Sequence, residues 1–404
     1  MPTSLLYHAY GLTKHKYINA KYKENKVILK IKTKEDKLCC RVCGSKSVIK
    51  QGKKERDFRA PPMGNKQIIL RAIIQRLECR RCNNLRQEKI GFADEKKTYT
   101  KSFERYINDL SRIMTLDNVS KITGMGWDTV KRIEQSYLTK HYSKPRLKEV
   151  RYIAIDEFAV QKGHKYMTVV MDLETNRVLF VGEGKSAETL EPFWKRVRCS
   201  GAKIQAVATD MWPAFIDSVT KNLPNARLIY DRFHITKMIN DALSRLRKQL
   251  YHEETAVNKR SVIKGIRWLL LKREDNLNEE KNERERLNQV LELNKPLAIA
   301  YYLKEELRLL WMQDSMEKAK DFFGKWLAKA YASGIPVLKK VANSLLAHRT
   351  GIFSWFCNPI STGPLEGMNN KIKLLKRQAY GYRDKEFFKL KIYALHKTTY
   401  ALCG

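Results

Sequence analysis

Residues 150 to 231 place the tightest limit on what this chain can fold into. Short apolar runs alternate there with helical patterns: RYIAID, YMTVVMDL and RVLFVGEG, then the helix-like SAETLEPFWKRV, then KIQAVATD, a second helix and ARLIYD. Several strands in succession, followed by strand–helix alternation, imply a mixed α/β sheet with helices laid against it. From about residue 234 to 350 the pattern is helical throughout, with charged heptad-like stretches such as NEEKNERERLNQVLEL and no strand signal. After NPISTGPLEG the last segment is again helical, and basic.

A length of 404 residues exceeds that of a typical single domain, so more than one folded unit is expected. Neither a fixed-period repeat nor a low-complexity tract is present, which argues against solenoids and disordered tails. No apolar run approaches the roughly 18 residues of a membrane-spanning helix. The start, MPTSLLYHAYGLTKHKYIN, lacks the basic, apolar and small-residue succession of an export signal. The expectation is a cytoplasmic protein with no membrane partner.

Charge narrows the partner. The 79 Lys and Arg against 43 Asp and Glu give +36, and such a surface repels itself unless a polyanion shares it. Nucleic acid is therefore the first partner expected, because no basic amphipathic helix or lipidation signal supports a membrane surface. The excess is uneven: residues 1 to 150 hold 35 basic and 15 acidic side chains, residues 151 to 200 hold 8 and 7. Binding charge and an acid-requiring function are separated along the chain.

Four of the eight cysteines form two C-x-x-C pairs, Cys40 with Cys43 and Cys79 with Cys82. Each pair lets two thiolates reach one ion, and together they complete a tetrahedral sulfur site suited to structural Zn²⁺. The intervening RDFRAPPMGNKQIILRAIIQRLEC reads as a β-hairpin that returns the second pair to the first. Cys39 is an alternative to Cys40 in the ligand set, while Cys199, Cys357 and Cys403 are isolated core or surface residues. Ordinary reduced thiols or a redox pair are the plainer reading of the cluster.

TLDNVSKITGMGWDTVKRIEQSYL carries apolar Val119, Ile122, Val130 and Ile133 around a Gly124–Gly126 turn, as a helix-turn-helix does. Asp117 or Asn118 is expected to cap the first helix, and the second to begin near Trp127. Thr129, Lys131, Arg132 and Gln135 would then face outward, with donors suited to phosphates and base edges. A generic helical hairpin gives the same pattern.

Asp156 ends the apolar run RYIAID and Asp210 ends KIQAVATD, the positions at which open α/β sheets hold their ligands. Two carboxylates converging there repel unless a divalent cation lies between them, and hard oxygen donors select Mg²⁺ or Mn²⁺. The plainer reading of either Asp is a cap on the next helix. The best third donor is Glu366, at the start of a helix that then presents Lys371, Lys373, Lys376 and Arg377 to a phosphate backbone. Glu157, Asp172, Asp217 and Asp384 compete with it; strand alternation turns Glu157 away from Asp156.

The order of zinc module, helix-turn-helix, AIDEFAVQKGHKYMTVVMDLET, ATDMWPAF, YDRFHITKMINDALSRLR and TGPLEGMNNKIKLLKRQAYGYRD resembles the DDE transposases of the ISL3 insertion-sequence family over nearly the whole chain. The resemblance implies a ribonuclease H-like catalytic domain, interrupted after its fifth strand by an all-helical insertion, with the third acid on a helix beyond it. Carried over, the triad is Asp156, Asp210 and Glu366. YDRFH is similar to an acid-x-x-His element of related transposases, which would let His234 donate to a phosphate oxygen; a structural pair with Asp231 is the alternative.

The expected organisation is a zinc-binding module over 1–95, a helix-turn-helix domain over 96–148, the first part of the catalytic domain over 149–240, the insertion over 241–350 and the second catalytic part over 351–404. The implied reaction is phosphoryl transfer with two Mg²⁺ ions about 4 Å apart, bridged by Asp156, which cuts the element's ends and joins their 3′ hydroxyls to target DNA. Implied partners are double-stranded DNA, as terminal inverted repeats and target, and a second copy of the chain, since two ends must be held together. The implied location is a bacterial nucleoid. Trp268, Trp311 and Trp326 in the insertion read as core, with base stacking as the other use. A DNA-binding regulator would not need the strand-end aspartates, and a structure-specific nuclease would have less use for a sequence-reading arm.

Overall fold

The computed structural model describes residues 3–161, 165–255 and 257–396 and divides them into two units, one within residues 3–141 and one within 142–396. Cys403 lies outside the described residues. Among these, no helix is long and apolar enough to cross a membrane.

The first unit begins with helix α1 (Thr3–Tyr10) and builds a five-stranded sheet from β1 (His15–Lys23), β2 (Lys26–Thr33), β3 (Val48–Met63), β4 (Lys66–Cys79) and β5 (Leu85–Gln87). Its spine is the hairpin β3–β4, which turns over two residues between Met63 and Lys66. Strand β4 also runs parallel to β2, from Lys26 opposite Gln67 to Lys32 opposite Ile73. Its alternate residues Ile68, Leu70, Ala72 and Ile74 are buried with Leu29, Ile31, Phe58 and Ala60, as a period of two requires for one covered face. The expected hairpin is present, and its register sets Cys79 opposite Val48, just beyond the first cysteine pair.

Three helices complete this unit: α2 (Lys101–Ile113), α3 (Leu116–Thr123) and α4 (Trp127–Tyr142). The cap of α3 is Thr115, whose hydroxyl accepts from the Asn118 N–H at 3.2 Å; neither Asp117 nor Asn118 serves. Thr115 has the β-region backbone of a cap, two residues before Asp117 and three before Asn118. Gly124 closes α3 at φ +65°, a conformation glycine enters without Cβ strain. Val119, Val130 and Ile133 are buried with Phe103 and Ile107. Ile122 is 56% exposed and is not part of this core, since three short helices cover only one stripe of α3.

In the second unit β6 (Tyr152–Gln161), β7 (Lys165–Asp172) and β8 (Val178–Glu183) form an antiparallel meander. Helix α5 (Glu191–Ser200) leads to β9 (Ala206–Thr209), and α6 (Pro213–Asn222) to β10 (Arg227–Tyr230), both parallel to β6. The sheet order is β10-β9-β6-β7-β8, the mixed sheet expected. Ile153 and Ile155 of β6 face a core with Phe193, Trp194 and Phe215 of α5 and α6.

Helix α7 (Arg232–Glu253) leaves the sheet and opens a helical array of α8 (Val257–Gly265), α9 (Arg267–Leu271), α10 (Glu283–Leu293), α11 (Lys295–Arg308), α12 (Met316–Ala332), α13 (Pro336–Ala347) and α14 (Arg349–Phe353). One apolar cluster runs from Tyr230 through α7 and α9 to α14, ending at Phe353. Trp311 and Trp326 belong to it, and the Trp326 indole N–H donates to the Leu303 carbonyl at 2.9 Å. Trp268 does not: it is 67% exposed beneath the Arg267 guanidinium, so the core reading fails for that residue.

The chain then returns to the sheet as α15 (Gly363–Gln378) and α16 (Lys385–Ala394). These two helices meet the face of β6 opposite α5 and α6, where Phe388 packs edge-on against Phe158 and Asn369 reaches Asp156. Gly351 of α14 lies against Tyr230 at the end of β10; a Cβ there would meet Tyr230 Cδ2 at 2.5 Å. Tyr230 is buried, so Gly351→Ala should cost about 1–3 kcal/mol as overpacking does, read as a fall in Tm. An unchanged Tm would show that the ring has room to move.

Candidate active site and metal centres

Each cysteine pair sits on a tight turn. The Gly44 N–H donates to the Cys40 carbonyl at 3.0 Å, and the Asn83 N–H to the Cys79 carbonyl at 2.8 Å, folding both C-x-x-C segments back on themselves. The β3–β4 hairpin brings the turns together, with Sγ–Sγ distances of 3.6 Å for Cys40–Cys82 and 3.5 Å for Cys43–Cys79. All four sulfurs lie within 4.8 Å of one another. Tetrahedral zinc with Zn–S near 2.3 Å needs sulfurs about 3.8 Å apart, so the donor set and its spacing fit structural zinc. The Asn84 amide donates to Cys82 Sγ at 3.6 Å and pulls that thiol down to about 6, which favours the thiolate a metal binds. Cys39 is outside the group, and Cys199 and Cys357 are exposed.

The carboxylates assemble through sheet register. Strands β6 and β9 pair with Ile155 opposite Thr209, so Asp156 and Asp210 follow the same rung on neighbouring strands. Asp156 Oδ1 accepts from the Glu157 N–H and Oδ2 from the Asn369 amide, each at 2.8 Å. Asp210 Oδ1 accepts from the Trp212 N–H at 3.1 Å. Burial, and then the charges of Glu157 and Asp210, push the Asp156 carboxyl up to about 7. Burial also raises Asp210, against the opposing pull of His234 and Lys185. Buried carboxyls raised in this way, with the charge of Asp210 acting on Asp156, are a pattern that a divalent cation relieves.

Glu157 is more involved than strand alternation implied. It points to the other face of β6, yet burial and the charge of Asp210 raise it too, and its Oε2 is buried without a hydrogen-bond partner among the described residues. Asp210 lies beyond the end of β9, off the pleat, and so acts on residues of both faces. The other competitors have structural tasks or none. Asp172 closes a turn with the Glu174 N–H and Thr175, Asp384 caps α16 through the Phe387 N–H, and Asp217 is exposed on α6.

Glu366 stands exposed in the first turn of α15, one turn before Asn369. That helix start is pinned by Asp231, a residue the sequence offered only as a partner for His234. Asp231 Oδ1 caps α7 by accepting from the Phe233 N–H at 2.9 Å, and its Oδ2 accepts from the Thr362 hydroxyl just ahead of α15. One buried carboxylate thus holds two helix starts. His234 instead lines a groove of about 320 Å³ with Asp210, Trp212, Lys237 and Arg245. Asp156, Asp210 and Glu366 are not drawn into a group with all ligand atoms within 4.8 Å, as the four sulfurs are.

On α4, Arg132 is exposed and Thr129, Lys131 and Gln135 are partly so, while Val130 and Ile133 turn inward. Lys131 lies over the Trp127 ring at 5.6 Å. On α15, Lys371, Lys373 and Arg377 are exposed, but Lys376 donates to the Val160 carbonyl at 2.8 Å and so helps dock the helix on β6. Asn369 and Thr362 were missed in the sequence; the one signal for them was a polar Asn one turn after Glu366 among apolar positions.

Three family profiles match this chain. That of the ISL3 transposase spans residues 153–392, that of the zinc-finger of transposase IS204/IS1001/IS1096/IS1165 spans 37–82, and that of the helix-turn-helix domain of transposase family ISL3 spans 88–138. The chain is similar to the transposase for insertion sequence element IS1001 of Bordetella parapertussis, 33% identical over 88% of each chain. It is also similar to the transposase for IS1557 of Mycobacterium tuberculosis, 25% identical over 86% of this chain and 83% of that one. Among solved structures, the Drosophila P element transposase strand transfer complex aligns with 74% of this chain and 92% of its own at a TM-score of 0.37 and 10% identity.

Proposed function

The chain belongs to the ISL3 family of insertion-sequence transposases, and from that premise we propose that it binds the terminal inverted repeats of its element, cuts the DNA at those ends and joins the freed 3′ hydroxyls to target DNA. The observation that supports the reading is the pairing of β6 with β9, with Ile155 opposite Thr209 so that Asp156 and Asp210 follow the same rung, and the bond from Asn369, one turn after Glu366 on α15, to Asp156.

Asp156, Asp210 and Glu366 would hold Mg²⁺, with Mn²⁺ as a substitute. The donor set is oxygen alone, burial raises the carboxyls of Asp156 and Asp210, and the Glu157 Oε2 and Asn369 Oδ1 atoms are buried without a partner among the described residues. When bound, such ions supply activation of the attacking oxygen and neutralisation of the leaving one. His234, on the groove wall with Asp210, would donate to an oxygen of the scissile phosphate. Asp231 and Thr362 keep α7 and α15 in place during the exchange.

Lys371, Lys373 and Arg377 would contact the phosphate backbone near the cut, and Thr129, Lys131, Arg132 and Gln135 the repeat sequence, with the zinc module supporting that arm. Two ends must meet, so a dimer or larger assembly is part of the proposal, as is a place on the bacterial nucleoid. The test is Mg²⁺-dependent joining of a pre-cut repeat end to plasmid DNA. Joining supports a transposase; hydrolysis alone would indicate a nuclease, and binding alone a regulator.

Replacing Lys371 and Lys373 with Ala should weaken DNA binding about equally for repeat and unrelated sequences. The salt dependence should flatten by roughly 0.9 in log–log slope for each phosphate that is no longer neutralised. Weakening confined to the repeat sequence would instead make these residues base readers.

A further inference from the structure

We propose that Asn369 is a positioning residue that holds the Asp156 carboxylate in the orientation a divalent cation needs; the inference rests on the metal reading of that site. Asn369 is 6% exposed, on α15 between buried Met368 and Ile372. Its Nδ2 donates to Asp156 Oδ2 at 2.8 Å, and its Oδ1 is buried with no hydrogen-bond partner among the described residues.

A buried amide with half its bonding capacity unused is costly, and a residue needed only for packing at this place would be apolar. With Asp156 ionised, as a metal ligand must be, the amide has one sensible orientation, because turning Oδ1 toward the carboxylate would set two acceptors face to face. Each oxygen of Asp156 therefore receives one N–H from a rigid donor: Oδ1 from the backbone of Glu157, Oδ2 from Asn369. That fixes the plane of the carboxylate and leaves a lone pair free on each oxygen. Outer groups of this kind orient metal ligands and carry part of the affinity.

The same bond has a second consequence. Asn369 lies one helical turn after Glu366, so the interaction that aims Asp156 also contributes to holding α15 on β6. Together with the Lys376 and Thr362 bonds that hold the same helix, it ties the backbone turn bearing Glu366 to the strand that carries Asp156.

The test uses full-length, zinc-loaded protein with Asn369→Ala and Asn369→Leu, the second restoring packing should the first fold poorly. Mn²⁺ affinity is measured by calorimetry without DNA, and joining is followed against Mg²⁺ concentration. Both variants should bind Mn²⁺ about 10- to 100-fold more weakly. The Mg²⁺ concentration for half-maximal joining should rise by a similar factor, with much of the plateau rate recovered at high metal. Wild-type Mn²⁺ affinity and Mg²⁺ dependence in both variants, with only Tm changed, would make Asn369 a packing residue and overturn the proposal. Asp156→Asn separates the premise: if it binds Mn²⁺ as the wild type does, the metal reading falls and this inference with it.

Discussion

Asp156→Asn should lower DNA cleavage and joining by about 10³-fold or more, because losing one ligand of the proposed cation site removes several kcal/mol of transition-state stabilisation. Binding to repeat DNA should survive, since the residues proposed to read the ends lie on α4. The same substitution should stabilise the protein without divalent metal. The Asp156 carboxyl is raised from its ordinary 3.8 to about 7, chiefly by burial. Below about pH 4 both folded and unfolded chains carry the proton and the group costs nothing. As pH rises through 7 the fold must hold an ionised, desolvated carboxylate, and stability is lost, with an upper bound of about 4 kcal/mol for a shift of this size. Asn escapes that loss but gives up the bond from the Glu157 N–H, about 1 kcal/mol. In zinc-loaded protein with no Mg²⁺ or Mn²⁺ added, the variant should therefore melt above the wild type at pH 8, and the gap should close by pH 5. Added Mg²⁺ should raise the wild type only. Wild-type joining rates, or a gap independent of pH, would remove Asp156 from the site.

Replacing Cys40 and Cys43 with Ser should abolish zinc binding and unfold the turn region of the first unit. Structural zinc sites contribute on the order of 10 kcal/mol to folding, more than the total stability of many domains. The damage should be local. Val48 pairs with Cys79 at the end of the β3–β4 hairpin, so amides near Val48–Lys50 and Leu77–Cys79 should become unprotected against exchange. Those of β6 to β10, with a core of their own, should stay protected. Binding to repeat ends should fall with the module. Full zinc content in the purified double variant, measured by elemental analysis, would contradict the four-sulfur site.

Much of this architecture was written in local patterns. The short apolar runs became β6 to β10, the uninterrupted helical stretch became α7 to α14, and two C-x-x-C pairs with a hairpin between them became one cluster of sulfurs. These features depend on neighbours a few residues apart, or on a ligand chemistry with a single sensible solution. Where the local signal was shared among residue types, expectation and structure part: Thr115 caps α3 ahead of Asp117 and Asn118, and Ile122 and Trp268 are apolar residues left in solvent.

Residue types and their order along the chain were enough to announce a mixed sheet, a sulfur-bound metal and acids at two strand ends. Which groups those acids actually meet was settled by packing across more than 200 positions, as in the bond from Asn369 to Asp156. The same is true of Asp231, which joins two helix starts 131 residues apart through Thr362. Helix and strand preferences report on near neighbours, whereas such bonds exist only once α15 has come back across the far face of β6. The protein's chemistry is carried by partners that no spacing rule connects, because loop closure over such distances leaves no periodic trace.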